Sequence, residues 1–183
     1  MDDNILYKAG RQFTSEELRR RQQRSTVALL RPVVIAAGVS DSANIGMILR
    51  ICDAIACQQV IFVDVEQPQS RRIKGVSRSM NEKMAHSFIS FNELNLVIGA
   101  LGPLIAVEIT TESNNLYDVE LPQNVTFVIG NEQKGIPENV LGLCSYALHI
   151  PMLGINSSMN VATALGIVLY EWHRQMRPKI PKL

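Results

Sequence analysis

Short apolar runs alternate with longer mixed segments along most of the chain. Six runs have the length and apolar content of buried strands, at residues 33–37, 60–63, 88–91, 104–109, 126–129 and 147–150. The segments between and after them are long enough for helices, which we predict at residues 44–56, 70–83, 92–101, 137–144 and 157–176. This alternation predicts an α/β fold with a mostly parallel sheet flanked by helices on both faces.

The start of the chain follows a different pattern. Thr14 and Glu17 have the spacing of a capping box, in which each side chain accepts a hydrogen bond from the other residue's main-chain amide. They predict a basic helix that runs to about Leu30 and is ended by Pro32. We therefore divide the 183 residues into an N-terminal basic helical extension, residues 1–31, and one α/β domain, residues 32–183.

Composition narrows the class of protein. Hydrophobic residues make up 46% of the chain and charged residues 19%, the balance of a folded protein with a full core. The longest apolar run, residues 96–107, contains two glycines and a proline and is shorter than the about 20 residues that a membrane span needs. The first residues lack the basic start and apolar run of a secretion signal, so we expect a cytoplasmic protein.

Cysteine and histidine usage argues against disulfide or metal chemistry. The 3 cysteines are odd in number and form no Cys-x-x-Cys pair, so we expect buried reduced thiols. The 3 histidines lie far apart in the sequence, without the paired spacing of metal ligands. We therefore predict no metal site.

The net charge of +1 conceals a strong segregation of charge. Three clusters, at residues 8–31, 71–83 and 174–182, hold sixteen of the 18 basic residues. Between Met84 and His173 only Lys134 is basic, against eight acidic residues. Clustered Lys and Arg suit a polyanion, because each neutralised phosphate releases counterions, so RNA is a candidate partner. For any one cluster taken alone, a solvated helix face is the favoured explanation.

Candidate chemistry lies after the predicted strands, because ligands of open α/β sheets bind outside the carboxyl ends of the strands. Three stretches stand out there, at residues 44–50, 127–135 and 150–161. The chain has no Gly-x-Gly-x-x-Gly, and Ile136-Pro137 stand where a phosphate-binding loop needs Lys-Ser/Thr. Ordinary dinucleotide and nucleoside-triphosphate sites are therefore disfavoured. Glycine-bounded loops can still form a purine pocket from main-chain groups, although turn geometry explains any single glycine better.

Together, the three stretches resemble the three motifs of the SpoU-type RNA 2′-O-methyltransferases of the SPOUT superfamily. Their order and spacing match over about residues 32–174, and the tRNA and rRNA guanosine-2′-O-methyltransferases are the most similar members. The resemblance implies S-adenosylmethionine as cofactor, a homodimer, and a sheet whose C-terminal part is threaded into a deep trefoil knot, in residues 32–183. It also implies an RNA substrate, with tRNA favoured over rRNA because residues 20–27 are similar to the tRNA-ribose subgroup.

The family motifs assign roles to individual positions of this chain. They imply that the cofactor contacts Val107, Gly130, Ile150 and Met159. For Val107 and Ile150, packing at a strand end is an open alternative. Arg50 is placed at the acceptor ribose, facing the cofactor of the partner subunit in the dimer. The resemblance implies that Arg50 either helps to deprotonate the hydroxyl or positions it against the adjoining phosphate; because a guanidinium normally stays protonated, we expect positioning first.

Asn44, Glu132, Ser158 and Asn160 match the remaining polar catalytic positions of the family. Hydrogen bonds from these side chains would orient the hydroxyl or the cofactor, while helix capping is an equal alternative for Asn44 and Ser158. Glu132 has the alternative of shaping its loop. The resemblance departs at Met47 and at residues 79–81, which puts substrate placement in doubt.

Two further alternatives stay open at the level of sequence. The apolar surface of the last helix around Trp172 either adds to the dimer contact or plugs the core of one subunit. The whole protein is either a methyltransferase or a non-catalytic RNA-binding protein on the same knotted scaffold. Intact Arg50 and Asn160 favour the enzyme.

Overall fold

The structure, a computed structural model, describes Gln12, Thr14, Glu16, Glu17 and residues 31–68 and 84–176. At the start of the chain, the Thr14 amide donates to Glu17 Oε2 at 2.8 Å and the Glu17 amide donates to Thr14 Oγ1 at 3.3 Å. The predicted capping box is therefore formed. Residues 1–11, 13, 15 and 18–30 of the predicted N-terminal extension lie outside the described residues, as do the predicted helix at 70–83 and the basic residues from 177 onward.

Parallel pairing joins seven strands into one sheet, in the order β3-β2-β1-β6-β4-β7-β5. The central strands β1 and β6 are buried along their whole length, as strands covered by helices on both faces must be. The strands are β1 Val33–Ala37, β2 Gln59–Val63, β3 His86–Ile89, β4 Leu104–Val107, β5 Asn114–Asn115, β6 Thr126–Ile129 and β7 Tyr146–His149.

Four α-helices accompany the sheet in the described residues. They are α1 Ser42–Ala54, α2 Phe91–Val97, α3 Glu138–Leu141 and α4 Val161–Met176. A 3₁₀ turn continues α2 over Ile98–Ala100, and another follows β5 at Leu116–Asp118. The long helices α1 and α4 pack against each other, and both bury apolar residues beneath the sheet. Within the described ranges, no helix has the length and apolar character needed to cross a bilayer.

The predicted mostly parallel α/β fold is confirmed, with local differences in the element bounds. The structure has β1 and β6 at the predicted residues, but β3 ends at Ile89 because a capping box between Ser90 and Glu93 directs Phe91 into α2. The prediction that α4 begins at Ser157 is wrong, since its first turn starts at Val161. The sequence did not predict β5, which has two polar residues and no apolar run.

The Trp172 side chain is buried in the core of its own subunit. Its side chain is 3% exposed, and its indole nitrogen donates to the carbonyl of Pro122 at 3.0 Å. Gln175, one turn further along α4, accepts from the Leu121 amide at 2.8 Å and donates to the Val119 carbonyl at 3.1 Å. The structure therefore favours the core-plugging alternative for Trp172. We call these contacts of Trp172 and Gln175, together with the adjoining Glu171, the α4 clasp.

Candidate active site

A cavity of about 910 Å³ lies at the carboxyl ends of β4, β6 and β7. The segments that follow these three neighbouring strands form most of its wall, as expected for a ligand site of a parallel sheet. We call it the strand-end cavity. It is lined by residues 107–111, 129–136, 141, 148–150, 152, 157–159, 161 and 164.

All four residues predicted to contact the cofactor line this cavity. Val107 ends β4, Gly130 follows β6, Ile150 follows β7, and Met159 lies just before α4. Because parallel strands end at the same edge of the sheet, residues from distant parts of the sequence meet there. The structure thus brings the predicted set together around one space, with dimensions typical of a small-molecule site.

Gly130 is required by close packing of the main chain. A Cβ atom added there would lie 2.3 Å from the carbonyl carbon of Gly135 and 2.3 Å from the amide nitrogen of Ile136. Those distances are far below ordinary contact, so only glycine allows the chain to turn back on itself at this point. The turn lies in the cavity wall, to which residues 129–136 all contribute.

Asn131 holds that turn in shape. Its main chain exchanges two hydrogen bonds with Gly135, at 3.0 and 2.8 Å. Its side-chain oxygen accepts from the amides of Gln133 and Lys134, at 2.9 and 3.2 Å, and its side-chain nitrogen donates to the Gly38 carbonyl at 3.1 Å. Asn131 was not among the predicted site residues, although an Asn directly after a strand-end glycine is a recognisable turn signal.

The three sequence motifs meet in a chain of side-chain hydrogen bonds. Asn160 Nδ2 donates to Asn44 Oδ1 at 2.9 Å, and Asn44 Nδ2 in turn donates to Glu132 Oε1. Asn44 is buried, while Glu132 lies on the cavity wall. We call this chain the polar relay. It joins residues separated by 116 and 88 positions in the sequence, so only the fold brings them together.

Helix α4 fixes the direction of the relay. Asn160 Oδ1 accepts from the amides of Ala162 and Thr163 at 3.0 and 3.2 Å, so it caps the helix, and its Nδ2 is left to donate. Asn44 must then accept with its oxygen and donate with its nitrogen, which requires an acceptor at Glu132. The relay therefore presents a carboxylate whose position is set from the start of α4.

The capping roles considered for Asn44 and Ser158 belong to other residues. Asp41 caps α1, because its side chain accepts from the amides of Ala43 and Asn44 at 3.0 and 2.9 Å. Asn160, not Ser158, caps α4. Ser158 instead is exposed and lines the cavity.

Arg50, the residue predicted at the acceptor ribose, is not part of the cavity lining. It is exposed on α1, six residues beyond Asn44, and it does not line the strand-end cavity. Six residues correspond to a rotation of about 240° around a helix axis, so the two side chains leave α1 on different faces. Of the predicted polar residues, Glu132 and Ser158 therefore line the cavity of one subunit, whereas Asn44, Asn160 and Arg50 do not.

Fold and site together define an α/β protein with a ligand cavity at the carboxyl ends of parallel strands and a directed polar relay beside it. The chain belongs to the SpoU rRNA Methylase family, whose model matches residues 31–170. The match includes the cavity, the relay and Arg50.

Known relatives and a solved structure agree with this assignment. The chain is 25% identical over 154 residues to a tRNA (guanosine(18)-2'-O)-methyltransferase of Aquifex aeolicus, covering 80% of this chain and 71% of the relative. It is 30% identical to the 23S rRNA (guanosine-2'-O-)-methyltransferase RlmB of Neisseria meningitidis, covering 78% and 58%. The fold is similar to that of AviRb from Streptomyces viridochromogenes in complex with AdoMet, with a TM-score of 0.75, 24% identity and coverage of 85% and 64%.

Proposed function

We propose that this protein transfers a methyl group from S-adenosylmethionine to a ribose 2′-hydroxyl of RNA, with tRNA favoured and rRNA as the second candidate. The polar relay beside the strand-end cavity is the observation that carries this proposal. The similar proteins of Aquifex and Neisseria are named as tRNA and rRNA guanosine-2′-O-methyltransferases, and AviRb was solved with AdoMet. These names support the reaction class.

The residues of the cavity fit this cofactor. A space of about 910 Å³ can hold a nucleoside with an amino-acid arm, and Gly130 is part of its lining. Val107, Ile150 and Met159 offer apolar contact in the lining of the space. When bound, S-adenosylmethionine supplies an electrophilic methyl group on a sulfonium ion.

The relay has the chemistry needed to orient a hydroxyl. Glu132 carries a carboxylate that accepts from Asn44, and a carboxylate has further acceptor sites for the hydroxyl proton of a ribose. A fixed acceptor aligns one lone pair of the ribose oxygen with the methyl carbon, and positioning of this kind is a large part of catalysis. We assign Asn160 and Asn44 the role of fixing Glu132 by hydrogen bonds. We assign Ser158 the role of binding the ligand by a hydrogen bond at the cavity surface.

Arg50 supports the proposal of a homodimer. Its exposed position on α1, on a different helix face from Asn44, suits a residue that reaches the acceptor bound at the partner subunit. There its guanidinium would grip the phosphate next to the acceptor ribose with two parallel hydrogen bonds. The deep trefoil knot in the C-terminal part of the sheet, the domain division at residue 31 and the cytoplasmic location remain predictions from the sequence.

Substitution of Arg50 tests the proposal against a non-catalytic RNA-binding protein. With unmodified tRNA and labelled S-adenosylmethionine, we expect Arg50→Ala to lower the rate of methyl transfer by about a hundredfold or more, as removal of one transition-state contact does. Cofactor affinity should stay within a few-fold of wild type. Arg31→Ala removes another exposed arginine, at the end of the first basic cluster and outside the three motifs, and serves as the control; at saturating tRNA it should keep the rate.

Three outcomes would contradict the proposal. Wild-type protein that binds RNA but takes up neither S-adenosylmethionine nor its demethylated product in calorimetry would support the RNA-binding alternative. Wild-type protein that transfers no label to any cellular RNA from a strain lacking the gene would do the same. A label found on a base and not on a ribose would retain the cofactor but overturn the assigned acceptor.

A further inference from the structure

Glu108 is a charged residue of the strand-end cavity to which the motifs assign no role. It follows Val107 directly after β4, lines the cavity and is half-buried. Oε1 accepts from the amide of Ile109 at 3.0 Å, and Oε2 accepts from the amide of Ile136 at 3.2 Å. The carboxylate is therefore held between two segments that both belong to the cavity wall.

Close packing restricts the side chain further. Gly135 has a positive φ of +70°, and a Cβ added there would lie 2.8 Å from Glu108 Oε2. The absence of a side chain at Gly135 thus makes room for the carboxylate. Each carboxylate oxygen accepts about two hydrogen bonds, so the two amides leave capacity on both oxygens. Glu108 can act on a ligand without giving up its contacts to the wall.

The other charges around the cavity are more exposed to water. Glu132 and Lys134 also line it, but both are exposed on the 131–135 turn and have opposite signs, so solvent and mutual cancellation weaken their combined field. His149 also lines the cavity. Its Nδ1 lies 3.1 Å from Ser113 Oγ and 3.2 Å from the Ser113 carbonyl oxygen. Glu108 therefore provides the least screened negative charge of the described wall.

We propose that Glu108 is a selectivity residue that favours the sulfonium form of the cofactor over its demethylated product. This inference rests on the proposed function. In methyl transfer the sulfur–carbon bond breaks and an oxygen–carbon bond forms at the ribose; the sulfur keeps the electron pair and loses its positive charge, and the hydroxyl proton leaves to solvent. A fixed, half-buried carboxylate attracts the cation and gains nothing from the uncharged thioether. The same charge that helps to bind the cofactor thus helps to release the product.

Calorimetry with both ligands on a series of variants tests the proposal. The quantity measured is the ratio of the dissociation constant of S-adenosylhomocysteine to that of S-adenosylmethionine. We expect Glu108→Gln, which removes the charge, to lower this ratio by roughly three- to tenfold. Glu108→Asp keeps the charge but draws it back from the Ile136 amide, so it should weaken both ligands alike and leave the ratio within about twofold.

Glu112→Gln is the matched control, because it removes an exposed carboxylate from the same loop outside the cavity wall. It should leave both affinities unchanged. A purely structural role for Glu108 predicts that Gln and Asp weaken both ligands by equal factors, and that result would overturn the proposal. A ratio lowered equally by Asp and Gln would also overturn it, since charge would then not be the cause.

Two results separate this inference from the reaction itself. If wild-type protein binds neither ligand, the proposed function fails and the inference fails with it. If wild-type protein binds both and Glu108→Gln keeps the wild-type ratio, the inference alone fails. Should Glu108→Gln not fold, the wild-type ratio at low and high salt decides instead. A preference based on charge must shrink as salt is added, and a constant ratio would refute it.

Discussion

The two sides of the site are built from different materials. The strand-end cavity owes its shape to main-chain turns and apolar side chains, and two main-chain segments of its wall approach each other most closely at Gly130. The polar relay owes its function to the direction of side-chain hydrogen bonds from Asn160 through Asn44 to Glu132. The strand-end cavity thus depends on steric fit, and the polar relay depends on the orientation of its hydrogen bonds. Damage to the cavity should therefore appear in cofactor binding, and damage to the relay should appear in the rate of transfer.

We expect the largest effect from a substitution at Gly130, where the main chain packs most closely. Gly130→Ala places a methyl group 2.3 Å from the main chain of Gly135 and Ile136, so the turn must move. We expect a loss of about 2–3 kcal/mol in the free energy of unfolding and a weakening of cofactor affinity by about a hundredfold, since overpacking that shifts main chain distorts the whole wall. Chemical denaturation and calorimetry measure the two quantities.

Gly154→Ala is the control for that prediction, because a Cβ at Gly154 would have nothing within 4 Å. It changes the same residue type in the loop before α4 and should leave both stability and affinity near their wild-type values. Equal behaviour of the two variants would show that the close approach at Gly130 does not shape the cavity. The distinction between a cavity that depends on steric fit and a relay that depends on hydrogen-bond orientation would then fail.

The relay gives an intermediate effect, because Asn160 has two separable duties. Its oxygen caps α4, and its nitrogen donates to Asn44. Asn160→Ala removes both and should cost about 1 kcal/mol of stability and lower the transfer rate by roughly ten- to a hundredfold. Asn160→Asp restores a capping oxygen at a helix N-terminus, where negative charge is favourable, but it removes the donor.

The Asp variant therefore sharpens the comparison. We expect it to recover the stability of wild type while its transfer rate stays as low as that of the Ala variant. Single-turnover kinetics with saturating cofactor gives the rate, and thermal unfolding gives the stability. Recovery of both by Asn160→Asp would mean that the cap alone matters and that the donor to Asn44 has no role in transfer.

The same contrast explains how far the sequence could predict the structure. Buried parallel strands appear in a sequence as continuous apolar runs, and therefore β1 and β6 were predicted at their observed bounds. The polar strand β5 carries no such run. The strand-end rule predicted where candidate chemistry lies, the family resemblance supplied Val107, Gly130 and Ile150, and these three residues do meet at the cavity.

Side-chain partners were beyond prediction for a physical reason. The contact of Glu108 with the Ile136 amide spans 28 positions, and the contact of Asn160 with Asn44 spans 116. Such pairs depend on the packing of whole elements and leave no local pattern. Family motifs supplied Asn44 and Asn160, but not the direction of their hydrogen bonds, and they supplied neither Glu108 nor Asn131. That direction follows only from the helix amides that Asn160 caps.

The smallest effect is expected at the other end of α4, where the α4 clasp anchors the helix that begins with the relay. Glu171 is 8% exposed and accepts from Arg174 at 2.8 and 2.7 Å and from Gln175 at 2.8 Å. Hydrogen bonding from Arg174 lowers the pKa of Glu171, and Gln175 adds to the effect against the opposing influence of burial. Because the Arg174 side chain is 66% exposed, the pair should contribute no more than about 1 kcal/mol.

The sign of the pH dependence follows from that lowered pKa. The carboxylate is favoured in the folded state, so its contribution is complete above the unfolded pKa of about 4.3 and disappears as the pH falls through the lower folded value. Glu171→Gln should therefore remove part of the acid-induced loss of stability, and the exposed Glu120→Gln should not. Thermal unfolding across the acid range measures this.

Methyl transfer by Glu171→Gln at neutral pH should stay within about twofold of wild type, because a modest change at the clasp leaves the Asn160 cap and the relay intact. A large drop in that rate would mean that the clasp end of α4 controls the orientation of the relay, and that the two ends of the helix are energetically coupled.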